Sequence, residues 1–577
     1  MSNQVIAKLL RELAIYAEMA DIPFKPRAYE RAAGAIEGMG EDVRGVYERG
    51  GLAALEAIEG VGRGIGERIE EYLNTGTIKE RDRFKRKIPV DVTGLSAVEG
   101  VGPKMIKMLW GRLGITTVGE LERAARAGKI RTLPRFGEKS EAKILKGVEF
   151  LKAAGGRLTL GEAAPLARAI VERLEKLRGV SMVSAVGSLR RMHETIGDID
   201  LLAVAEKPET VMEFFAAMPE VLHVYAKGAT KTMVRLTSNI DADLRVVGKD
   251  AYGAALQYFT GDKQHNIEVR KIALSLGLKL NEYGLFRGAR RLPAKTEQDL
   301  YRRLGLQWMP PELRTASGEI EAARESRIPE LIGYGDLKGD LQVQTNWTDG
   351  VHSIEEMAHA AMARGLEYIA VTDHTKNLAM TGGADEEKLL RQMEEIDRIN
   401  ARLSARGKRF RILKGAEVNI LKDGSLDIAD AVLRKLDVVG AAVHSYFRLP
   451  RAEQTRRVIA AMESPHVDII FHPTGRVIHR REPIELDIEA VIAAAKETAT
   501  VLEVDASPDR LDLKDEYIRT ALAAGVKLAI DSDAHATGHF QFLEYGIAQA
   551  RRGWTTAADV INTRPVEVML RLLKGGR

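Results

Sequence analysis

Two aspartates one residue apart stand in the stretch of this chain whose residue types are best suited to chemistry, residues 186–202. Asp198 and Asp200 fall in an apolar run that is typical of a β-strand, so their side chains point to the same face. Two carboxylates on one face can share a pair of divalent cations, and their oxygens are ligands that Mg²⁺ prefers. The spacing therefore predicts metal-assisted chemistry at this strand.

The residues just before the strand are suited to an anionic ligand. Gly187 and Ser188 offer backbone amides and a hydroxyl group, and Arg190 and Arg191 offer guanidinium groups. These donors bind phosphate oxygens, whereas the aspartates suit the Mg²⁺ ions that accompany a triphosphate. A solvated edge strand would account for the two aspartates alone but not for the turn before them. We therefore expect a nucleoside triphosphate site.

A second strand-like run, residues 239–247, offers further carboxylates. Asp241 and Asp243 share a face, so spacing alone does not choose between them. The turn and the two strands together resemble the signature of the family X DNA polymerases, which are nucleotidyltransferases. The motifs that carry this resemblance are Gly187-Ser188, Asp198-Ile199-Asp200 and Asp243-Leu244-Arg245-Val246-Val247. The resemblance implies that Asp198, Asp200 and Asp243 are catalytic and bind two Mg²⁺ ions, for which Mn²⁺ can substitute, and that Asp241 is a solvated neighbour.

The family pattern continues into residues 258–270, where an aromatic turn precedes a predicted helix. From the residues alone this segment would be structural, although Asn266 and Arg270 are four apart and share one helical face. The resemblance implies contacts to the incoming deoxynucleotide (dNTP) and to the template strand. The expected dNTP-binding residues are Gly187, Ser188, Arg191, Gly197, Tyr258, Phe259, Gly261 and Asn266, and the expected template contact is Arg270.

Two glycine-rich segments near the N-terminus, the first hairpin (residues 58–69) and the second hairpin (residues 98–106), are near copies of each other. Both resemble helix-hairpin-helix elements, in which glycines bring backbone N–H groups and a helix N-terminus against a phosphate. The basic segment Lys79–Lys87 lies between them, and residues 133–139 form a weaker third turn. We expect sequence-independent DNA binding, with contacts at Gly60, Gly62, Gly100, Gly102 and Lys104.

Residues in and near the first hairpin are expected to contact the 5′ end of the strand at a gap in DNA. Lys25 and Tyr29 match family residues that hold a 5′-phosphate. Family members with 5′-deoxyribose-phosphate lyase activity carry a lysine just after this turn, where this chain has Arg68. A guanidinium group cannot supply the neutral amine that a Schiff base requires. We therefore expect 5′-phosphate binding without lyase activity.

Nine of the twelve histidines lie beyond residue 350, in a region with a different pattern. Over residues 336–577, strand-like apolar runs alternate with helical patterns in seven β/α units, which predicts an α/β barrel with its ligands at the strand ends. The segments Thr372-Asp373-His374, Val443-His444-Ser445 and Ser532-Asp533-Ala534-His535 resemble the polymerase and histidinol phosphatase (PHP) domain. The resemblance implies a centre for Mn²⁺ or Zn²⁺ with ligands Asp349, His374, Glu417, His444, His472, Asp533 and His535.

One departure from the family concerns the first barrel strand. PHP domains have a His-x-His pair there, whereas this chain has Gln342-Val343-Gln344. A glutamine amide offers only a neutral carbonyl oxygen, which is a poorer ligand than imidazole for a transition metal. We expect an incomplete metal centre with reduced 3′–5′ exonuclease or phosphoesterase activity. The alternative is a structural or DNA-binding role for this domain.

The length of 577 residues, with 45% hydrophobic and 29% charged residues, predicts several soluble domains. We expect an all-α helix-hairpin-helix N-terminal region, an α+β nucleotidyltransferase palm with a thumb, and a C-terminal distorted (β/α)7 barrel. The predicted units are residues 1–80 (helix-hairpin-helix domain), 81–155 (helical fingers with the second hairpin), 156–248 (palm), 249–317 (thumb), 318–335 (linker) and 336–577 (PHP domain).

Composition narrows the class of protein further. The absence of cysteine excludes disulfides and thiolate metal sites, and the net charge of +4 does not by itself indicate nucleic-acid binding. No apolar run is long enough for a membrane span, and the N-terminus shows no signal-peptide pattern. We expect a cytoplasmic, nucleoid-associated monomer whose partners are gapped or primer–template DNA and dNTPs.

These patterns predict a DNA-templated DNA polymerase that fills short gaps during DNA repair. Two alternatives stay open. A non-templated nucleotidyltransferase would share the Gly-Ser and Asp-x-Asp motifs but would not need Asn266, Arg270 or two DNA-binding hairpins. A DNA end-binding scaffold would not need an intact aspartate triad, although such a role remains an alternative for the barrel.

Overall fold

The computed structural model describes residues 3–574 except 38, 40, 41, 59, 99, 135 and 154. Glu59 and Glu99 of the two hairpins and Arg135 of the third turn therefore lie outside the described residues. Among the residues described, no helix combines the length and the apolar composition that a membrane crossing needs.

The N-terminal region is helical, as its sequence predicts. Its helices are α1 (Asn3–Met19), α2 (Lys25–Glu37), α3 (Val43–Glu56), α4 (Arg63–Thr75), α5 (Lys79–Lys87), α6 (Val92–Ser96), α7 (Pro103–Leu113), α8 (Val118–Arg126) and α9 (Glu138–Ala153). In the hairpins, α4 begins after Gly62 and α7 begins after Gly102, and neither glycine can cap its helix with a side chain. Gly60 and Gly100 have φ angles of 78° and 82°, a backbone conformation that favours glycine. Both turns thus present helical N–H groups that could donate hydrogen bonds to a phosphate.

The palm is a five-stranded sheet with helices packed against it. Its elements are β1 (Leu158–Thr159), α10 (Leu160–Glu175), β2 (Val180–Ala185), α11 (Gly187–Arg190), β3 (Thr195–Ile196), β4 (Asp198–Ala205), α12 (Pro208–Ala216), β5 (Val221–Lys227), β6 (Lys231–Leu236) and β7 (Asp241–Val247). The sheet order is β2-β4-β7-β6-β5, with β4 parallel to β7 and the other neighbours antiparallel. Ile199 of β4 and Ala242 of β7 are buried in the palm core, so the aspartates that alternate with them point away from it.

The thumb follows the palm directly. Its elements are α13 (Tyr252–Thr260), α14 (Lys263–Ser275), β8 (Lys279–Asn281), β9 (Gly284–Arg287), β10 (Arg290–Leu292), α15 (Glu297–Arg303) and α16 (Glu319–Arg324). Helix α16 falls in the range 318–335, which the sequence predicts as a linker. Ile320 and Ala323 of this helix are buried in the same apolar core as Leu300 and Met309, so the first part of the range packs as part of the thumb.

The C-terminal region forms the predicted barrel. Its elements are β11 (Gly339–Val343), α17 (Ile354–Ala363), β12 (Tyr368–Val371), α18 (Glu386–Ala405), β13 (Arg411–Asn419), α19 (Asp430–Leu433), β14 (Val438–Ala442), α20 (Arg451–Met462), β15 (Ile469–Ile470), α21 (Ile488–Glu497), β16 (Val501–Asp505), α22 (Asp515–Ala524), β17 (Leu528–Asp531), α23 (Leu543–Arg552) and α24 (Val566–Leu570). The seven strands are parallel and lie in chain order from β11 to β17. A parallel bridge between Val343 and Ala534 nearly closes the barrel, which confirms the predicted (β/α)7 fold.

The barrel packs directly on the palm. Leu511 and Tyr545 of the barrel are buried in the same apolar core as Ile170 and Leu174 of α10. Gly161 at the start of α10 lies so close to the ring of Pro508 that a Cβ at this position would collide with it. The two units therefore share a core, a relationship that gives the barrel direct contact with the elements of the palm site.

Candidate active site

The catalytic aspartates predicted from the sequence meet at the β4–β7 pair. The parallel register makes Asp198 the Cα partner of Asp241 and Asp200 the Cα partner of Asp243. Burial raises the pKa of Asp200 to about 6, and the negative charges of Asp198 and Asp243 add to that rise. Carboxylates that repel one another in this way form a donor set that suits divalent cations, because a bound cation offsets the repulsion.

The structure separates the two candidates on β7. Asp241 Oδ1 lies 2.7 Å from Nε of Arg235, and its side chain is 42% exposed. Asp243 is 20% exposed, lies opposite Asp200, and has Lys231 Nζ 3.3 Å from its Oδ2. Because Asp243 is the less exposed of the two and lies opposite Asp200, whose carboxylate its charge repels, the geometry favours Asp243 as the third metal ligand.

The turn before β4 lies against these carboxylates. Gly187 has a φ angle of 63°, and a Cβ there would collide with Oδ2 of Asp200. Only glycine therefore allows the turn to approach the aspartate this closely. Ser188 Oγ and Arg191 Nε are buried without a hydrogen-bond partner among the described residues. Buried donors left unpaired in this way point to a polar ligand that the turn would bind.

A cavity of about 470 Å³ opens in front of the turn and the aspartates. The predicted residues that line it are Gly187, Ser188, Arg191, Asp198, Asp200, Tyr258, Phe259, Gly261, Asn266 and Arg270. The lining also contains Arg157, His193, Asp262 and Lys263, which are not among the residues predicted from the sequence. Lys263 could have been found, since it stands inside the motif between Gly261 and Asn266, whereas Arg157 has no sequence signal because only the fold brings it here.

Gly197, one of the predicted dNTP contacts, lies beside the side chain of Arg157. It is not part of the cavity lining, and a Cβ on it would lie 2.6 Å from Nη1 of Arg157. Arg157 in turn donates a 2.9 Å hydrogen bond from Nε to Oγ1 of Thr195. The absence of a side chain at Gly197 thus makes room for Arg157, which lines the cavity.

The aromatic turn and the helix after it hold each other in place. The rings of Tyr258 and Phe259 pack edge to face with centroids 5.1 Å apart, and Arg245 lies 4.7 Å above the Phe259 ring. Asn266 Nδ2 donates a 2.7 Å hydrogen bond to the carbonyl of Tyr258. Gln257 donates a 2.7 Å hydrogen bond to Oδ1 of Asn266, so this amide has a fixed orientation at the cavity wall.

The two arginines of the turn have different partners. Arg191 donates to the carbonyl of Thr260 and stays at the cavity, where burial lowers its pKa. Arg190 points the other way and donates 2.9 Å and 2.7 Å hydrogen bonds to the carboxylate of Glu297 in the thumb. Burial acts to raise the pKa of Glu297, but Arg314 and Arg190 outweigh it and lower that pKa to about 2. Arg190 therefore joins palm and thumb instead of binding a triphosphate.

The residues expected to hold a 5′-phosphate converge on a carboxylate of the chain itself. Lys25 Nζ donates a 2.7 Å hydrogen bond to Glu80, and Tyr29 donates one of 3.0 Å. Arg68 Nε also donates to Glu80, whose side chain is 16% exposed. Glu80 thus occupies the centre of this cationic cluster.

The residues of the hairpins that are expected to bind DNA are mostly open to solvent. Those that are exposed are Gly62, Gly100, Gly102 and Lys104, whereas Gly60 is half-buried against Arg31.

The barrel brings most of its predicted ligands together at the strand ends. Two groups of three could each hold a metal ion, namely Asp349, His374 and His535, and His374, Glu417 and His444. His472 Nε2 lies 2.9 Å from Oε1 of Glu417, beside the second group. Imidazole and carboxylate ligands of this kind suit Mn²⁺ or Zn²⁺.

Other residues occupy part of the same space. Gln342 and Gln344 donate hydrogen bonds of 3.2 Å and 2.7 Å to Oε2 of Glu417, the carboxylate that the second group would share with a metal. Asp533 lies outside both groups in the described residues, and its Oδ2 is 3.7 Å from Nε of Arg510. The donor set therefore fits a metal best at Asp349, His374 and His535. The carboxylates of Glu417 and Asp533 already have protein partners, the two glutamine amides and Arg510 respectively.

Comparisons with known proteins agree with both the palm and thumb site and the C-terminal barrel. Residues 255–315 match the family described as DNA polymerase beta thumb, residues 1–78 a helix-hairpin-helix domain, and residues 92–149 a SAM-like helix-hairpin-helix tandem. The chain is 37% identical over 579 residues to a DNA polymerase/3′-5′ exonuclease, PolX, of Bacillus subtilis (strain 168), with 100% of both chains covered. It is also 32% identical over 245 residues to a probable phosphatase of Thermoanaerobacter sp. (strain X514), which covers 39% of this chain and 91% of that protein.

Proposed function

The chain belongs to the family X DNA polymerases of the bacterial PolX type, which carry a C-terminal PHP domain, and we propose from this premise that it fills short gaps in DNA. The reaction would be template-directed transfer of a deoxynucleotide from a dNTP to a primer 3′-hydroxyl. The single observation that supports this most strongly is the in-register aspartate pair Asp200 and Asp243 beside a cavity lined by Ser188, Arg191 and Tyr258.

Each side chain has a role that follows from its position. Asp198, Asp200 and Asp243 would hold two Mg²⁺ ions, with Mn²⁺ as a substitute, and the bound ions stabilise charge on the attacking and leaving oxygens of a phosphoryl transfer. Asp243 would stand beside the primer 3′-hydroxyl. The Ser188 hydroxyl and the Arg191 guanidinium would bind triphosphate oxygens, since both are buried at the cavity with unpaired donor atoms.

The sugar, the base pair and the DNA would be held by the remaining parts of the site. Tyr258, Phe259 and Gly261 would contact the sugar, and Asn266 and Arg270 would contact the new base pair and the template strand. The N–H groups at the starts of α4 and α7 would bind the DNA backbone without sequence preference, because phosphates carry no base information.

We also propose that the chain is divided into the domains predicted from the sequence, with α16 added to the thumb. We propose that it acts in the cytoplasm as a nucleoid-associated monomer.

The barrel would supply a second activity, a metal-dependent 3′–5′ exonuclease or phosphoesterase. Asp349, His374 and His535 form the group of ligands best suited to a divalent ion, and a bound ion of this kind activates water against a phosphoester. Gln342 and Gln344 lie where the PHP family has histidines, so we expect this activity to be weak. A structural role for the barrel is the alternative outcome.

A gapped duplex tests both activities at once. A primer bordering a one-nucleotide gap with a 5′-phosphate would be followed for gain and loss of nucleotides, with Mg²⁺ or Mn²⁺, in the wild type, Asp200→Asn and His374→Ala. We expect gain in the wild type and in His374→Ala but not in Asp200→Asn. Mn²⁺-dependent loss should persist in Asp200→Asn and disappear in His374→Ala. Gain that survives in Asp200→Asn would contradict the palm assignment, and equal loss in all three proteins would contradict the barrel assignment.

A further inference from the structure

An ion pair joins the barrel to the turn that forms the nucleotide cavity. Arg476 Nη2 donates a 2.6 Å hydrogen bond to Oε2 of Glu194, although the two residues are 282 positions apart in the chain. The side chain of Arg476 is 5% exposed, and that of Glu194 is 32% exposed. Removing Glu194 would leave the buried guanidinium of Arg476 without its carboxylate partner, which distinguishes this pair from the weak ion pairs of protein surfaces.

Glu194 ends the turn that begins at Gly187. The turn is closed by a 3.1 Å hydrogen bond from His193 N–H to the carbonyl of Ser188, and Leu160 N–H donates a 3.0 Å hydrogen bond to the carbonyl of Glu194. Its cavity-lining residues are Gly187, Ser188, Arg191 and His193. The position of the Glu194 side chain therefore bears on the groups that would bind a triphosphate.

The barrel holds Arg476 firmly on its own side. The residue belongs to the loop that follows His472, and Thr474 in that loop donates 3.0 Å and 2.9 Å hydrogen bonds from N and Oγ1 to the carboxylate of Asp512. Arg476 also donates to the carbonyl of Leu511. A second barrel arginine, Arg552, donates a 3.4 Å hydrogen bond to the carbonyl of Arg191. The turn is thus braced from the barrel at two points.

From these contacts we propose that Arg476 is a positioning residue of the polymerase site, through which the barrel sets the affinity of the palm for the incoming nucleotide. The inference rests on the proposed function only in taking the ligand to be a dNTP. It assigns the barrel a role in nucleotide binding that does not depend on whether its own metal centre is active.

The test measures nucleotide binding apart from catalysis. Full-length protein is bound to a one-nucleotide gapped duplex whose primer ends in a 3′-deoxy sugar, and the Kd of the matched dNTP is measured with Mg²⁺. The kcat and KM are measured in parallel on the same duplex with a 3′-hydroxyl. The variants are Arg476→Gln, Arg476→Lys, Glu194→Gln and the double variant. Arg480→Gln serves as the control, because Arg480 lies in the same loop with a side chain that is 67% exposed.

We expect Arg476→Gln to raise the Kd and KM for the dNTP about 10-fold, because the turn would hold its charge-assisted hydrogen-bond donors less well against the triphosphate, while kcat changes by less than about 3-fold. Arg476→Lys should recover part of the affinity, and the double variant should be no weaker than the single ones, because paired residues are not additive. Arg480→Gln should behave as the wild type does.

Two results would overturn the proposal. One is an unchanged Kd in Arg476→Gln, including the case in which the variant is merely less stable to heat. The other is an additive loss in the double variant. A wild type that binds the matched dNTP but does not extend the primer would count against the proposed function alone, and a wild type that does not bind it would count against both.

Discussion

Asp200 and Asp243 lie opposite each other as Cα partners on the parallel strands β4 and β7, in a register that runs without a break from Asp198 to Val204. The next residues on both strands, Leu201 and Leu244, are buried in the palm core. A slip of one residue would turn these leucines outward and the carboxylates inward, so the core itself fixes the position of the aspartates. The catalytic geometry is therefore a consequence of how the sheet is packed.

The first prediction concerns Asp243, the third carboxylate of the palm site. Asp243→Asn should lower the rate of primer extension at least about 100-fold, because the amide removes a charge that the metal site requires, and should leave DNA binding nearly unchanged. Asp241→Asn is the matched control, since Asp241 lies on the same strand but pairs with Arg235. Single-turnover extension on a gapped duplex measures the effect. A greater loss in Asp241→Asn than in Asp243→Asn would reverse the assignment.

The second prediction concerns Glu80, which pairs with Lys25, a residue expected to bind a 5′-phosphate, and with the neighbouring Arg68. Glu80→Gln should strengthen binding to a gap with a 5′-phosphate by about 10-fold, because Lys25 and Arg68 lose an internal anionic partner. Binding to the same gap with a 5′-hydroxyl should change little. Glu67→Gln removes the same charge from the preceding helix α4, where Glu67 pairs with Arg63, and serves as the control. Weaker binding of the phosphorylated gap by Glu80→Gln would show that Glu80 instead holds these cations in place for the phosphate.

The third prediction concerns stability and pH. Glu297 is buried between Arg190 and Arg314, and Arg314 is fully buried. Glu297→Gln should destabilise the thumb and palm by about 3–5 kcal/mol, since two arginines would lose their shared anion. Glu268→Gln, which removes an exposed pair with Lys271, should cost less than about 1 kcal/mol. Urea unfolding followed by tryptophan fluorescence is the measurement, because Trp308 packs against the thumb core.

The sign of the pH dependence follows from the depressed pKa of Glu297. A carboxyl whose pKa falls from 4.5 to about 2 on folding contributes stability that is complete above pH 4.5 and is lost as the pH falls towards 2. The difference between the wild type and Glu297→Gln should therefore be constant from pH 5 to 8 and shrink below about pH 4.5. A difference that grows on acidification would contradict the ionised state of Glu297.

The fourth prediction concerns the metal content of the barrel. The double variant Gln342→His and Gln344→His should bind about one more Mn²⁺ per chain than the wild type, because imidazole is a better ligand than an amide that already donates to Glu417. His374→Ala should bind less, since His374 belongs to both groups of ligands. Elemental analysis after dialysis measures the bound metal. Equal metal content in the wild type and the double variant would contradict the view that these glutamines limit the site.

The alternation of residues along the aspartate strands, the repeated glycine-rich segments and the seven alternating β/α patterns were sufficient to predict the aspartate strands, the two hairpins and the barrel. They could not predict contacts that form only when distant segments pack together. Arg190 looks like a phosphate ligand in the sequence, yet its partner Glu297 lies 107 positions away. The same holds for Arg157 at the cavity edge and for Arg476 beside Glu194. The range 318–335 is predicted as a linker from the sequence, yet Ile320 and Ala323 are buried in the thumb core and pack α16 into it.

Template dependence is the property that tests the central claim most directly. A one-nucleotide gap with a 5′-phosphate would be presented with each of the four template bases, and the incorporation of each dNTP would be measured with Mg²⁺ under single-turnover conditions. A gap-filling family X polymerase should incorporate the matched dNTP at least about 100-fold faster than the others at every template base, and Asp200→Asn should abolish the reaction. Incorporation at rates that ignore the template base, or no incorporation by the wild type, would contradict this account.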